Sequence, residues 1–273
     1  MTSVVIKVDD VTLVYPPPIR VTALKNINLQ IRKGEFVALI GPNGSGKTTL
    51  AKCIANLLKP TSGTIYLKEK PMTKYRSIET CKIVAYVFQN PDHQLFKDNV
   101  FDDVAFGLRN LRKPEEFVER KVKEVLERLD LWDKKGVHPF RLSKGERQKV
   151  VVAASLAMEP EVLIVDEPTT GQDRRGAIEM MNLLTELNSK GTTILVITHA
   201  LHLVGIYVRR TVLLNQGLIV KDGPTREVFG DINFLRDVHM NPPQITEFSF
   251  RLGLDPISLT VQEARESIER IVK

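Results

Sequence analysis

The first chemistry in this sequence is carried by residues 41–49, GPNGSGKTT, which match the spacing G-x-x-x-x-G-K-[S/T] of a phosphate-binding loop. The loop follows an apolar run at 36–40 and opens a helical pattern, which is the setting that such a match requires. Glycines let backbone N–H groups surround phosphate oxygens, and the start of a helix adds the positive end of its dipole. We predict that Lys47 reaches the β- and γ-phosphates of a nucleotide and that Thr48 ligates Mg²⁺. The whole loop is predicted to contact the nucleotide: Gly41, Pro42, Asn43, Gly44, Ser45, Gly46, Lys47, Thr48 and Thr49.

A second group of candidates is the acidic end of residues 162–168, VLIVDEP. Asp166, at the end of the predicted strand, can hold Mg²⁺ through its hydration shell, and Glu167 is placed to polarise an attacking water molecule. Taken alone, the pattern also fits an acidic pair on the surface after a buried strand. Together with the phosphate-binding loop, it predicts binding and hydrolysis of a nucleoside triphosphate.

The segment LSKGE, residues 142–146, has the spacing of a helix capping box. Ser143 is predicted to be the N-cap of the helix that follows, with Glu146 as its partner three residues later. A well-capped helix is a sufficient account of this segment in isolation. A Ser-x-Gly helix start can also bind an anion, so a role at a phosphate group is the second account.

The elements that must position these residues alternate between short apolar runs and helical patterns, which predicts an α/β fold. Strands are predicted at 4–8, 27–31, 36–40, 63–67, 83–87, 162–166, 192–198 and 211–214, and helices at about 46–57, 115–130, 143–158 and 174–189. The runs at 36–40, 162–165 and 194–197 are nearly all apolar, as in a parallel sheet covered on both faces. The N-terminal strands are expected to be antiparallel, and a late hairpin should turn at Asn215-Gln216-Gly217.

Three regions are predicted along the chain. A main domain covers 1–230, a helical subdomain is inserted at about 90–160, and a small C-terminal helical domain covers 231–273. Two short amphipathic helices in the C-terminal region cannot be stable alone, so they must dock on the main domain or on another copy. Their predicted apolar faces contain Ile245, Phe248 and Leu252 in the first helix, and Ala264, Ile268 and Ile271 in the second.

Length and composition limit the size of the domains and the classes of partner that this chain can have. The 273 residues are 42% hydrophobic and 26% charged, as expected for one large globular domain or a large and a small one. The net charge of +6 suits an anionic ligand, a nucleic acid or an anionic membrane face, but the basic residues are scattered, so charge alone does not decide among them. No nucleic-acid partner is expected. We expect neither a membrane span nor a secretory signal. Cys53 and Cys81 lack disulfide or metal spacing and are expected to be buried and reduced, which indicates the cytosol.

Together these motifs resemble those of ATP-binding cassette (ABC) ATPases over about residues 4–230. LSKGE is similar to the family's signature motif Leu-Ser-Gly-Gly-Gln, from which Lys144 and Glu146 differ. The resemblance implies ATP and Mg²⁺ as ligands. It also implies a P-loop NTPase fold with a mixed sheet, an antiparallel β subdomain and an inserted helical subdomain. Two subunits would work together, with Ser143 and Gly145 contacting the γ-phosphate of the ATP held by the opposite subunit. Lys144 would offset the negative charge of Glu146.

Four further residues resemble functional positions of that family. Tyr15 is similar to the aromatic residue that stacks on adenine, although a tyrosine at a strand edge would fit equally. Gln89 matches the glutamine that ligates Mg²⁺ and senses the nucleotide. Asp173, in TTGQD, matches the D-loop near the dimer seam, and His199 matches the histidine that contacts the γ-phosphate. The catalytic residues implied by the resemblance are Lys47, Glu167 and His199.

Within ABC ATPases the sequence most closely resembles the energy-coupling factor (ECF) group, the ATPases of vitamin and transition-metal importers such as cobalt importers. Three segments carry this resemblance: QNPDHQLF after the predicted strand at 83–87, VFDDVAFGLRN at 100–110, and the tail from 242 to 264. It implies that the tail helps two ATPase subunits to associate. It also implies that four residues contact the coupling helix of a membrane partner: Asp92, Gln94, Leu95 and Phe96.

The partners implied by this resemblance are a second ATPase subunit, identical or related, a transmembrane coupling subunit and a membrane substrate-binding subunit. The chain would then be a peripheral protein at the cytoplasmic face of the cell membrane. An ATPase of another importer class differs only in its partner and stays open as an alternative. A non-transport ABC ATPase acting on DNA or ribosomes usually carries two cassettes or a long coiled coil, and this sequence has neither. A regulatory module without turnover is disfavoured by four retained residues: Lys47, Asp166, Glu167 and His199.

Overall fold

The computed structural model describes residues 3–18 and 20–272, the last as backbone only. Within this part of the chain the strands form two sheets. The strands are β1 Val4–Val14, β2 Thr22–Arg32, β3 Phe36–Ile40, β4 Ser62–Leu67, β5 Lys70–Pro71, β6 Val84–Val87, β7 Val162–Asp166, β8 Thr193–Ile197, β9 Arg210–Asn215 and β10 Leu218–Pro224.

The α-helices of the described residues differ widely in length. They are α1 Lys47–Ile54, α2 Ser77–Cys81, α3 Val100–Asn110, α4 Glu115–Arg128, α5 Lys144–Ala157, α6 Arg174–Ser189, α7 Leu201–Tyr207, α8 Thr225–Gly230, α9 Ile232–Asp237, α10 Gln244–Arg251 and α11 Val261–Val272. Short 3₁₀ helices lie at Met72–Lys74, Pro91–His93, Trp132–Lys134 and Pro139–Arg141. The α/β fold predicted from the sequence is confirmed.

The larger sheet has the strand order β10-β9-β3-β8-β7-β6, and all its pairs are parallel except β10 with β9. Every residue of β3, β7 and β8 is buried, because each of these strands is covered on both faces. The phosphate-binding loop leaves the carboxyl end of β3, and the two acids lie at the carboxyl end of β7, Asp166 as its last residue and Glu167 directly after it. Since only β8 separates these strands, both groups meet at one edge of the sheet.

The smaller sheet is antiparallel, as predicted, with the order β2-β1-β4-β5. Side chains alternate along the strands of the larger sheet and so enter two separate cores. On one face, residues such as Leu39 and Ile164 pack with α1 and the smaller sheet. On the other, residues such as Ala38 and Val165 pack with α3, α4, α5 and α6. The phosphate-binding helix is thereby fixed between the two sheets.

The turn that joins β9 and β10 lies where the sequence predicts it. Gln216 and Gly217 have φ values of 48° and 79°. Positive φ at both central residues gives the two-residue turn whose twist matches paired antiparallel strands. Helices α3, α4 and α5 lie between β6 and β7 in the sequence, within the region predicted to be helical.

One prediction about burial needs correction, and another is narrowed. Within this chain α10 does not bury its predicted apolar face, which leaves docking on another copy as the open alternative: Phe248 is 46% exposed, whereas Thr246 and Ser249 are buried. The reason is that Ser249 Oγ accepts a hydrogen bond from the N–H of Ser258 at 2.8 Å, so a polar face meets the loop that follows. Cys81 was predicted to be buried but is exposed. It is the last residue of α2, and the residue that this helix buries is Thr80.

Candidate active site

The phosphate-binding loop is shaped by two glycines. Gly41 has a φ of 147°, and a Cβ at this position would collide with the carbonyl oxygen of Leu214 in β9. Gly46, the N-cap of α1, has a φ of 104°, and a Cβ there would lie 2.5 Å from the carbonyl oxygen of Ala23 in β2. Any larger residue would therefore displace the loop. No side chain of the described residues caps α1, so its first N–H groups are available to phosphate oxygens.

Lys47 is the first residue of α1 and is only 6% exposed. Its ammonium donates hydrogen bonds to the carbonyl oxygens of Gly41 at 2.8 Å and Pro42 at 2.9 Å. Burial lowers the pKa of Lys47, while the charges of Glu167 and Asp166 oppose that shift. The loop thus holds the Lys47 ammonium near enough to Glu167 and Asp166 for their charges to act on it.

Asp166 is the last residue of β7 and is 3% exposed. Its Oδ2 accepts a hydrogen bond of 2.7 Å from the hydroxyl of Tyr86 in β6. Burial raises the pKa of Tyr86, and the charge of Asp166 raises it further. Asp166 Oδ1 is buried and has no hydrogen-bond partner among the described residues. A free, buried carboxylate oxygen fits Mg²⁺, which takes one or two protein oxygens together with water and phosphate oxygens.

Glu167 has a backbone φ of 50°, a left-handed conformation that residues other than glycine seldom adopt. A hydrogen bond of 2.8 Å from its N–H to the carbonyl oxygen of Ile197 fixes this conformation. Its buried carboxylate accepts a hydrogen bond from Thr170 at 3.1 Å and lies 3.4 Å from Nε2 of His199. Burial raises the pKa of Glu167, and His199 and Thr170 oppose the shift. Strain and burial at a carboxylate beside a histidine suit a residue that orients or deprotonates water.

A cavity of about 660 Å³ brings most of the predicted nucleotide-binding residues together. It is lined by residues 43–49, by Gln89 after β6, and by Glu167 and His199. Tyr15 also lines it, and its hydroxyl lies 3.1 Å from Oγ1 of Thr49. The first two loop residues line an adjacent cavity of about 1160 Å³, which His199 shares.

The signature residues 142–146 do not line that nucleotide cavity in their own chain. Ser143 is the N-cap of α5, as predicted, and its hydroxyl and N–H both donate to Oε2 of Glu146 at 2.8 Å. Oε1 of Glu146 forms an ion pair with Lys134, in the 3₁₀ helix Trp132–Lys134. Hydrogen bonds from Lys134 and Ser143 lower the pKa of Glu146 to about 2. Lys134 therefore offsets the charge of Glu146, a role that the sequence assigned to Lys144.

The side chain of Lys144 instead extends to the D-loop, where its ammonium lies against Gly171. Gly145 occupies the second position of α5. Asp173, the predicted D-loop residue, is the N-cap of α6, and its Oδ1 accepts a hydrogen bond from the N–H of Gly176 at 2.7 Å. The signature motif and the D-loop are thus in contact within one chain.

Two of the four predicted coupling residues bind inward. Asp92 forms an ion pair of 2.9 Å with Arg147 in α5. The Gln94 amide donates to the carbonyl oxygen of Tyr86 at 3.0 Å and accepts from the N–H of Phe88 at 2.8 Å. Because β6 is an edge strand, the Gln94 side chain continues the hydrogen bonding of the sheet past its last strand.

The other two coupling residues lie on a groove of about 370 Å³ between α3, α5 and β6. Leu95 is buried and packs into the helical core. Phe96 is 57% exposed, and its ring centroid lies 4.7 Å from that of Phe106. The ammonium of Lys97 lies within 5.3 Å of both ring centroids. Phe96 is therefore the member of the set that a partner can contact most directly.

Sequence reasoning missed four residues that contact the predicted ones. Thr170 could have been found, because it lies within the TTGQD segment that had already been singled out. The other three are separated from their partners by 12 to 80 positions, and nothing in the local sequence indicates the contact. They are Tyr86, Lys134 and Arg147.

The two sheets, the loop after β3 and the acids after β7 define a P-loop nucleotide-binding domain. A family profile described as ABC transporter matches residues 24–170, more than half of the chain. The chain belongs to the ABC transporter family. Within residues 3–18 and 20–272, no helix has the length and apolar character needed to cross a membrane.

Some similar proteins match this chain over nearly their whole length, and others are more than twice as long as this chain. The chain is 39% identical to the energy-coupling factor transporter ATP-binding protein EcfA of Methanocaldococcus jannaschii, over 98% of each chain. It is 43% identical to a putative ABC transporter ATP-binding protein of Methanosarcina mazei over 89% of its own length, but it spans only 42% of that relative. The solved structure of cbiO1 from Clostridium perfringens, part of the ABC transporter complex cbiONQ, matches with a TM-score of 0.76 and 36% identity. That match covers 86% of this chain and 94% of cbiO1.

Proposed function

We propose that this chain is the ATP-hydrolysing motor subunit of an ECF-type ABC importer, which powers uptake of a vitamin or a transition-metal ion through membrane partners. The observation that carries the proposal is the single cavity joining the phosphate-binding loop to Gln89, Glu167 and His199. The similarity to an energy-coupling factor ATP-binding protein over nearly the full chain supports the choice of importer group.

In this proposal the phosphates of ATP lie between the loop N–H groups and the ammonium of Lys47, with adenine toward Tyr15. Thr48, Gln89 and Asp166 would hold Mg²⁺, which supplies positive charge to the β- and γ-phosphates when bound. The free Oδ1 of Asp166 supports this assignment.

Hydrolysis is proposed to rest on three side chains of this chain. Glu167 orients the attacking water or accepts its proton, and His199 contacts the γ-phosphate while holding the Glu167 carboxylate. Lys47 and the backbone N–H groups of the loop stabilise charge on the transferring phosphoryl group. The products are ADP and inorganic phosphate.

A second ATPase subunit, identical or related, completes each site in this proposal. Ser143 and Gly145 lie outside the nucleotide cavity of their own chain, so their proposed phosphate contacts require the ATP of a partner. Asp173 would lie near the seam between the subunits. Loss of the γ-phosphate removes the group that holds the two subunits together, and they separate.

The membrane partners are proposed to be a transmembrane coupling subunit and a substrate-binding subunit, with this chain peripheral at the cytoplasmic face. The segment 91–96 supports the position of the contact, because Phe96 is exposed beside a groove. Co-purification from native membranes tests this part. Recovery of a multi-span membrane protein is expected, and recovery of ribosomes or DNA in its place would contradict the transporter assignment.

The catalytic part is tested with Glu167→Gln. We expect turnover of ATP to fall by about 10²–10⁴-fold, because the base is lost, with ATP binding retained and an ATP-bound dimer accumulating. Glu161→Gln, at the other end of β7, is the matched control, since Glu161 pairs with Lys68 at 2.6 Å on the surface. Turnover and gel-filtration size are measured together. A Glu167→Gln variant that hydrolyses ATP at the wild-type rate would show that the assignment of Glu167 is wrong.

A further inference from the structure

Tyr86 is a buried residue next to the site that the catalytic scheme above does not use. It lies on β6, which pairs in parallel with β7, and its register partner Ile164 stands two residues before Asp166. Its hydroxyl donates to Oδ2 of Asp166 at 2.7 Å, and both side chains are less than 9% exposed. A hydrogen bond from a hydroxyl to a carboxylate is charge-assisted and strongly directional.

This hydrogen bond engages one of the two equivalent oxygens of the Asp166 carboxylate, here Oδ2, and restricts the orientation of the group. Oδ1 is then the available oxygen, and within the described residues it has no hydrogen-bond partner although it is buried. Groups that hydrogen-bond to a metal-binding side chain orient it, and their loss commonly weakens the binding of metal.

Tyr86 is in turn held by the segment that contains the coupling residues. Gln94 donates to the carbonyl oxygen of Tyr86 at 3.0 Å and accepts from the N–H of Phe88 at 2.8 Å. The rings of Tyr86 and Phe88 are in edge contact, with centroids 4.9 Å apart. A continuous set of contacts therefore runs from Gln94 through Tyr86 to Asp166.

We propose that Tyr86 is a positioning residue that fixes the Asp166 carboxylate for the divalent cation of the bound nucleotide. Gln94 connects this residue to segment 91–96, so that displacement of the segment changes the affinity for the cation. The inference rests on the proposed nucleotide-binding function. It goes beyond that function because it makes the affinity for the cation depend on the position of segment 91–96.

The test compares Tyr86→Phe with the full wild-type chain, using Mn²⁺ as the probe of the cation site. Electron paramagnetic resonance measures the binding of Mn²⁺ in the presence of ADP. We expect the affinity for Mn²⁺ to fall by about 10-fold or more, since loss of an orienting partner typically costs 10–100-fold. The affinity for ATP without metal should stay unchanged. The Mg²⁺ concentration for half-maximal hydrolysis should rise, with the rate at saturating Mg²⁺ largely retained.

Tyr75→Phe is the matched control, because the Tyr75 hydroxyl donates to a backbone carbonyl, that of Leu67, at 2.9 Å. It should leave Mn²⁺ binding unchanged. Wild-type Mn²⁺ affinity in Tyr86→Phe would overturn the inference. So would an equal loss of metal-free ATP affinity, which would indicate a general structural role. If the wild-type chain bound no nucleotide, the proposed function itself would fail, which is a distinguishable result.

The connection through Gln94 is tested with Gln94→Ala and with the double variant that combines Gln94→Ala and Tyr86→Phe. We expect Gln94→Ala to weaken Mn²⁺ binding in the same direction but less, because Tyr86 keeps its hydroxyl. The double variant should bind Mn²⁺ no more weakly than Tyr86→Phe alone, since both changes act through one contact. Independent, multiplicative effects, or no effect of Gln94→Ala, would show that the segment and the cation site are not connected.

Discussion

The ion pair between Lys134 and Glu146 leads to the prediction that tests the unusual signature motif most directly. Glu146 replaces the glutamine of the family's motif, which places a carboxylate beside Ser143. In the structure that carboxylate accepts hydrogen bonds from both the N–H and the hydroxyl of Ser143, and Lys134 pairs with its other oxygen. We predict that Lys134→Met leaves the charge of Glu146 uncompensated at the position where a partner's γ-phosphate is proposed to lie.

The size of the effect follows from the pKa of Glu146, which is lowered from 4.5 to about 2, first by Lys134 and then by Ser143. A difference of this size, to which the hydrogen bonds from Ser143 also contribute, would correspond to ~3 kcal/mol if the groups were shielded from solvent. Both side chains are partly exposed, 43% for Lys134 and 28% for Glu146, so solvent screening reduces the expected value to about 1 kcal/mol. Because the pKa is lower in the folded state, this stabilisation is present above pH 4.5 and is lost as the pH falls toward 2.

Two assays follow from that magnitude. Urea unfolding at pH 7 should show a free energy of unfolding about 1 kcal/mol lower in Lys134→Met than in the wild type, with the difference shrinking between pH 4.5 and pH 2. In a Glu167→Gln background, the ATP concentration needed to form the dimer should rise, because an uncompensated carboxylate would then face the partner's phosphate. Salt should reduce this second effect, since exposed charges are screened.

Matched variants separate charge from packing. Lys134→Met combined with Glu146→Gln should restore dimer formation, because neither charge is then present. Lys135→Met should form the dimer at the wild-type ATP concentration, since the described ion pairs of Glu146 do not include Lys135, whose ammonium lies 3.8 Å from the centroid of the Trp132 ring. If Lys134→Met formed the dimer at the wild-type ATP concentration, or if Glu146→Gln gave no rescue, the reasoning about charge compensation would be refuted.

Two further predictions concern segment 91–96 and the contacts that hold it in place. Phe96→Glu should abolish transport in reconstituted vesicles, while its affinity for ATP stays within about twofold of the wild type. Val220→Glu, which changes another exposed apolar residue, on β10, should transport normally. Uptake by the Phe96 variant would contradict the proposed contact with a partner. Asp103→Ala should lower the free energy of unfolding by about 1–3 kcal/mol, because Asp103 is buried and accepts from the N–H groups of Phe96 and Lys97. Exposed Asp98→Ala is its control in the same urea titration, and equal stability of the two variants would argue against this anchoring role.

The sequence was sufficient for the parts of the fold that depend on local pattern. Phe36–Ile40 and Val162–Asp166 were predicted to the residue, because a strand buried on both faces is an uninterrupted apolar run with sharp ends. Ser143 was correctly placed as the N-cap of α5, since capping depends on residues three positions apart. The burial of the polar face of α10 was not predictable, because it depends on a hydrogen bond between Ser249 and Ser258, which lies beyond the helix.

Segment 91–96 shows most clearly why the remaining features of the site could not be predicted without a structure. The family resemblance implies that Asp92, Gln94, Leu95 and Phe96 contact a partner. In the structure Asp92 binds Arg147 in the distant helix α5, and Gln94 binds the end of β6, six and eight positions back along the chain. Because Arg147 belongs to α5, whose N-cap is Ser143, one short segment contacts both the signature helix and the strand that carries Tyr86. A partner pressing on Phe96 would therefore act on the signature helix and on the cation site at once. That arrangement depends on the inward contacts of Asp92 and Gln94, so these contacts are the ones through which the position of a partner would be transmitted.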